Sequence, residues 1–196
     1  MNTTKILTYV FLAVSLGLAY FLFNSIRTKI DEAERIATME SRIIEKLKMI
    51  RDAEISFQAV KGNYTNSWSE LTSFLDTGSF YITERKETII PLPYGADSVY
   101  IEIDTLGTVP VVDSIFTRSK WPNFDLQTLR HIPGSNGKEF ALWADKIEKS
   151  GVMVDVVEVR SVAPVNPARK ESNEINTRKP LRFGSRTQVT TAGNWE

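Results

Sequence analysis

The sequence predicts an α+β fold in which one long N-terminal helix, half of it suited to a membrane, packs on a small antiparallel β-sheet. Three observations carry that prediction. The run Ile6–Phe23 holds 18 residues without a charge; at about 1.5 Å per residue it spans roughly 27 Å, close to the hydrocarbon thickness of a bilayer. From Asn24 to Lys61 neither Pro nor Gly interrupts, and apolar residues recur at steps of three and four, the spacing of a helix stripe. Beyond Gly62 the apolar segments are short, alternate with a period of two and are bounded by turn residues, which reads as strands.

Composition narrows the function classes. The 196 residues are 42% hydrophobic and 24% charged, an ordinary globular balance. Lys plus Arg and Asp plus Glu are 24 each, which argues against a nucleic-acid partner held by net charge. The absence of cysteine removes disulfides, thiol catalysis and iron–sulfur chemistry, and a single His leaves little imidazole chemistry. Charge is segregated. Residues 1–61 carry nine basic and seven acidic side chains, 62–163 nine and fourteen, and 164–196 six and three. Four regions follow: an anchor (1–24), an amphipathic helix continuing it (25–61), an α+β head (62–163), and a Pro-containing polar linker with a tail (164–196).

Tyr9 and Tyr20 flank the apolar run, where amphipathic rings favour the lipid–water interface. A cleaved signal peptide is the rival reading. It fits less well, because the run exceeds a usual h-region and Asn24-Ser25-Ile26-Arg27 offers no small-x-small cleavage site. The lipid bilayer is thus the expected partner of residues 6–23. Orientation stays open: Lys5 precedes the run, while Arg27, Lys29 and Arg35 follow it among Asp31, Glu32 and Glu34.

The helix stripe runs through Ile26, Ile30, Ile36, Met39, Ile43, Leu47, Ile50, Phe57 and Val60, and charges fill the other face, Glu54 among them. Lys61-Gly62 supplies the stop, since Gly readily adopts the left-handed C′ conformation. Either the head or another copy of the chain covers the stripe. For Leu47 to Val60 docking on the head is favoured; for Ile26 to Ile43 both readings stand. Candidate oligomerisation residues are Ile36, Ile43, Leu47 and Trp195, the last because a terminal indole is costly to leave in water.

The passage Ala53-Glu-Ile-Ser-Phe-Gln-Ala-Val-Lys-Gly-Asn-Tyr-Thr65, with Trp68-Ser-Glu-Leu71 and Phe74-Leu75 after it, resembles the end of the long first helix in type IV pilins and type II secretion pseudopilins. The resemblance covers roughly residues 5–75. It implies an inner-membrane, single-pass protein with an extracytoplasmic head, homo- or hetero-oligomeric, acting structurally in a pilus, secretion or motility machine. The family's processing signal, a Gly before a Phe-type residue with a Glu five positions into the mature chain, does not occur here, and the apolar run holds no acidic residue.

In the head, Trp68–Leu75 reads as a short helix capped by Ser67 with Glu70 three residues on. Phe80–Thr83 and Glu87–Ile90 are short strands, and in Ser98–Asp104 the alternation sends Val99, Ile101 and Ile103 to the core and Glu102 and Asp104 to water. Leu106-Gly107 is expected to turn the chain into a strand, Thr108–Phe116, demoted toward an edge by Pro110. Asn123–Arg130 reads as one or two helical turns. Lys138–Arg160 fits a long hairpin better than a helix–strand pair, with Lys149-Ser-Gly151 as its turn and a bulge near Val156-Val157. Residues 164–180 read as an exposed linker, and Leu181–Val189 has room for one more strand.

Candidate chemistry is sparse. His131 has no partner at suggestive spacing, and Gly134-Ser-Asn-Gly137 lacks the Lys-Ser/Thr of a phosphate loop. Asp97, Glu102 and Asp104 follow no calcium-loop spacing, although the pseudopilin resemblance leaves a loop ion open. Basic residues of the tail, Arg169 to Arg186, lack interleaved aromatics. No catalytic residue, metal or cofactor is expected. The alternative function is a monomeric anchored binding domain that takes a soluble or cell-wall ligand on Trp121, Trp143 or Tyr94.

Overall fold

One helix, α1 (Thr3–Lys61), is both the stalk and a wall of the core. The computed structural model describes residues 3–91, 95, 97–162, 164–166, 168–169 and 179–196. Along its 59 residues α1 extends about 88 Å. Gly62 ends it at φ +82°, and its N–H donates to Gln58 O at 2.8 Å. Then come α2 (Trp68–Thr77), β1 (Ser79–Pro91), β2 (Asp97–Pro110), the single turn α3 (Val111–Ile115), a 3₁₀ turn at Leu126–Thr128, β3 (Ala141–Lys149), β4 (Val152–Arg160) and β5 (Arg182–Gly184). The strands form two antiparallel sheets, a β1–β2 ribbon and a β3–β4–β5 sheet.

The core lies between the last third of α1 and the three-stranded sheet. Ile43, Leu47, Ile50, Ala53 and Phe57 of α1 meet Leu71, Phe74 and Leu75 of α2 and Phe140, Val157, Val159, Leu181 and Phe183 of the sheet side. Phe57 packs edge-on to Phe74 at 5.2 Å, and Phe74 in turn meets Phe80 at 6.5 Å, which fixes the root of the ribbon. Val60, the stripe's last expected member, faces water.

The α1–α2 corner is tied by a short relay of hydrogen bonds through Thr65, Ser67 and Glu70. Ser67 Oγ accepts from Glu70 N at 3.5 Å as the α2 cap. The reciprocal half of the capping box is relayed: Ser67 N donates to Thr65 Oγ1 (3.1 Å), which donates to Glu70 Oε2 (2.7 Å). Trp68 Nε1 donates to Phe140 O at 3.1 Å and links α2 to the start of β3.

Four expectations are corrected. Leu106-Gly107 is a bulge inside β2, because Ile82 pairs with Gly107 and Thr83 with Thr105, so Leu106 is the extra residue. β1 is therefore one long strand rather than two short ones. The chain leaves the sheet at Pro110, which has no N–H to donate, and Val111 enters the core as the first residue of α3 rather than continuing a strand. β4 carries no bulge: its register with β3 is unbroken, and Val156 to Val159 are buried on both faces because the chain after β5 folds over the outer one. Ser150 and Gly151, at φ +53° and +80°, close that hairpin.

Most of the expected linker lies outside the described residues, but 179–196 belongs to the head rather than to a tail. Leu181 and Phe183 are core residues, Glu196 pairs with Arg51 at 2.6 Å, and Arg169 with Glu40 at 3.3 Å. The extra strand is short, Arg182–Gly184.

Leu47→Ala, at a fully buried position, is expected to cost the head about 3 kcal/mol. Ile30→Ala, on the exposed stalk, should change it by less than ~0.5 kcal/mol. Urea unfolding of the full chain in detergent micelles checks both.

Candidate functional site

Of the four residues proposed for subunit contacts, two are withdrawn from any surface. Ile43 and Leu47 have no exposed area and sit inside the chain's own core. Trp195 is half-buried on that core, so the chain's own head covers the indole. Ile36 is half-buried and lines, with Arg35, Met39, Ile132 and Val165, a cleft of about 330 Å³ where α1 leaves the head. Nearer the apolar run, Ile26 and Ile30 of the same stripe stay open to a neighbour.

The aromatic residues of the alternative reading are equally constrained. Trp121 belongs to the core. Trp143 lies under the Arg186 guanidinium, 5.0 Å from the ring centroid, and Arg186 is held by Glu158 at 2.9 Å. Tyr94 lies outside the described residues. His131 bridges backbone to Glu139, and its Nε2 accepts from Arg130 Nε at 3.3 Å. Among the described residues no three His, Asp or Glu side chains converge as a metal site would require.

The open chemistry of the head is on the β1–β2 ribbon. Paired residues of an antiparallel ladder share a face, and the register divides this ribbon cleanly. Tyr81, Arg85, Glu87 and Ile89 of β1 stand with Val99, Ile101 and Ile103 of β2 on one side. Glu84, Lys86, Glu102 and Asp104 stand on the other with Ile90 and Tyr100, and there Lys86 Nζ reaches Asp104 at 3.1 Å and Glu84 at 3.4 Å. The alternation of Ser98–Asp104 and the solvated position of Glu102 and Asp104 were legible in sequence. The expected burial of Val99, Ile101 and Ile103 is overturned: they are 53%, 45% and 65% exposed, because among the described residues no other element packs beyond the ribbon's root. A two-stranded ribbon alone in water is marginal, and a contiguous apolar face left open marks an interaction surface.

A second feature was hidden in the helix pattern. Glu54 follows Ile50 by four residues and precedes Phe57 by three, which puts it on the buried face of α1, and it has no exposed area. The assignment of Glu54 to the charged outer face is thereby corrected. Its Oε2 accepts from Thr65 N at 3.2 Å, while Oε1 has no partner. Burial raises this carboxyl to about 8, opposed by the Thr65 amide. Burial, then the charges of Glu54 and Asp155, raises neighbouring Tyr64 as well.

No protein-family model, curated protein or solved structure matches the chain.

Because Glu54 holds its proton more tightly folded than unfolded, the stability linked to it is complete below its ordinary value of 4.5 and is lost as pH rises to about 8. The slope is up to ~1.4 kcal/mol per pH unit. Glu54→Gln, which keeps the shape of the neutral acid, should flatten the decline of unfolding free energy with pH. Parallel profiles for the two chains would remove Glu54 as its source.

Proposed function

We propose that the protein is a membrane-anchored, non-enzymatic structural subunit of a cell-envelope assembly, pilin-like in build, that works by holding its head at a fixed distance from the bilayer and packing against like or unlike subunits. The continuity of α1 supports this reading most. One 18-residue window of it has a mean hydropathy of 2.2 and no buried residue, which is long and apolar enough to cross a membrane, and the same helix ends as a wall of the head's core.

Between Phe23, the end of the apolar run, and Ile36, where the head first covers the helix, α1 rises about 20 Å. That bare stretch fits a spacer. It carries Ile26 and Ile30 exposed on one side, a stripe free to meet the stalk of a neighbour. Type IV pilins and pseudopilins share this plan of anchor, rod and small sheet-bearing head, and the reading extends their extracytoplasmic, inner-membrane setting to this chain.

Two measurements test it on the full chain in its cell. With the native sequence free of cysteine, Ser98→Cys reports topology: labelling by an impermeant maleimide in spheroplasts is expected, and protection contradicts an extracytoplasmic head. Ile30→Cys should give disulfide-linked stalks on oxidation of the membranes. Recovery of the chain as a free soluble monomer would end the reading.

A further inference from the structure

We propose that the apolar face of the β1–β2 ribbon docks on the same face of a second copy, strands antiparallel, about a two-fold axis that passes by the Lys86–Glu102 pair. The inference rests on the reading of the chain as a membrane-gathered subunit, and it names the partner of one surface.

Charge complementarity selects this packing. On the apolar face β1 offers Arg85 and Glu87, already joined at 2.6 Å, and their β2 partners are Ile103 and Ile101. Laying one ribbon on another about a two-fold axis in the interface, perpendicular to the strands, stacks β1 on β1 and β2 on β2 with the direction reversed. With the axis at position 86, Arg85 of one copy lies over Glu87 of the other, and Glu87 over Arg85. At the matching height on β2, Ile101 lies over Ile103 and Ile103 over Ile101. Every residue at the centre then meets a suitable mate. Turning the axis parallel to the strands stacks β1 on β2 and puts Arg85 over Ile103 and Glu87 over Ile101, leaving four charges against aliphatic groups.

A lipid surface is a poorer occupant. Lipid would cover Arg85 and Glu87 without adding a charged mate, whereas a second copy offers each an opposite charge. In a face-to-face pair Glu84, Glu102 and Asp104 point away from the joint and toward water. The contact is small. About ten residues of ribbon at ~3.4 Å each, roughly 10 Å wide, cover ~350 Å² per copy, below the ~800 Å² per partner of a stable complex. Pairing therefore depends on copies being concentrated in one bilayer, where the second contact is nearly intramolecular.

The test uses the full chain in native membranes. Chains bearing Ile101→Cys and Ile103→Cys are co-expressed with different tags and oxidised with copper phenanthroline. The mixed disulfide is expected to exceed either homodisulfide, and Glu102→Cys, on the opposite face, is expected to give none. Arg85→Glu should lower the mixed product about fivefold or more, two symmetry-related ion pairs being lost and like charges opposed. Adding Glu87→Arg to it should restore the yield. Absence of the mixed disulfide, indifference to the charge reversals, or equal linkage at Glu102→Cys, which marks edge-to-edge pairing, would overturn the proposal. Quenching of a label at Ile101→Cys by brominated lipid, with no disulfide formed, would give the face to the membrane instead. Unchanged thermal unfolding of the variants shows that the head is intact. Stalk disulfides through Ile30→Cys that persist while ribbon disulfides fail would remove this inference and leave the proposed function standing.

Discussion

A helix of 59 residues that begins in exposed apolar sequence and ends in a folded head imposes one constraint on the rest: the head has to be built on the helix rather than hung from it. Isolated helical turns are marginal in water, so the rod's rigidity at its far end comes from the buried face between Ile43 and Phe57. Other elements converge there: α2 packs on it, the sheet supplies Val157, Val159 and Phe183, and Glu196 returns to Arg51. A truncation that spared the sheet but removed this face would leave the core without a wall.

The corner after α1 shows how closely the helix and head are coupled. Thr65 is one residue with three tasks, its N–H held by Glu54 and its hydroxyl linking Ser67 and Glu70. A neutral Glu54 suits the apolar face, and an ionised one would place an uncompensated charge on a fully buried side chain. Helix, turn and second helix are thus joined by polar groups, of which the buried Glu54–Thr65 bond is the costly one to break.

Much of this was legible in sequence, and what was missed shares a cause. The far limit of α1 follows from the lack of Pro and Gly between Asn24 and Gly62, the cap of α2 from Ser67 and Glu70, and the hairpin from Lys149-Ser-Gly151. Periodicity also put Val99, Ile101 and Ile103 on one face. It could not say whether the chain has anything to cover that face, since alternation reports which side is apolar and nothing about its neighbour. Glu54 was misread because its charge outweighed its spacing. Arg51 with Glu196, and Arg186 over Trp143, join residues far apart in sequence and leave no local trace; the burial of both faces of β4, which such long-range cover causes, imitates a bulge.

The rod itself is the central claim, and a distance measures it. Spin labels at Phe23→Cys and Val60→Cys, both exposed positions on α1, should give by pulsed dipolar spectroscopy in lipid nanodiscs a single narrow distribution centred near 55 Å, the rise of an unbroken helix between them. A broad distribution, or one centred well below that, would mean that the helix breaks between bilayer and head, and the stalk would no longer set the position of anything above it.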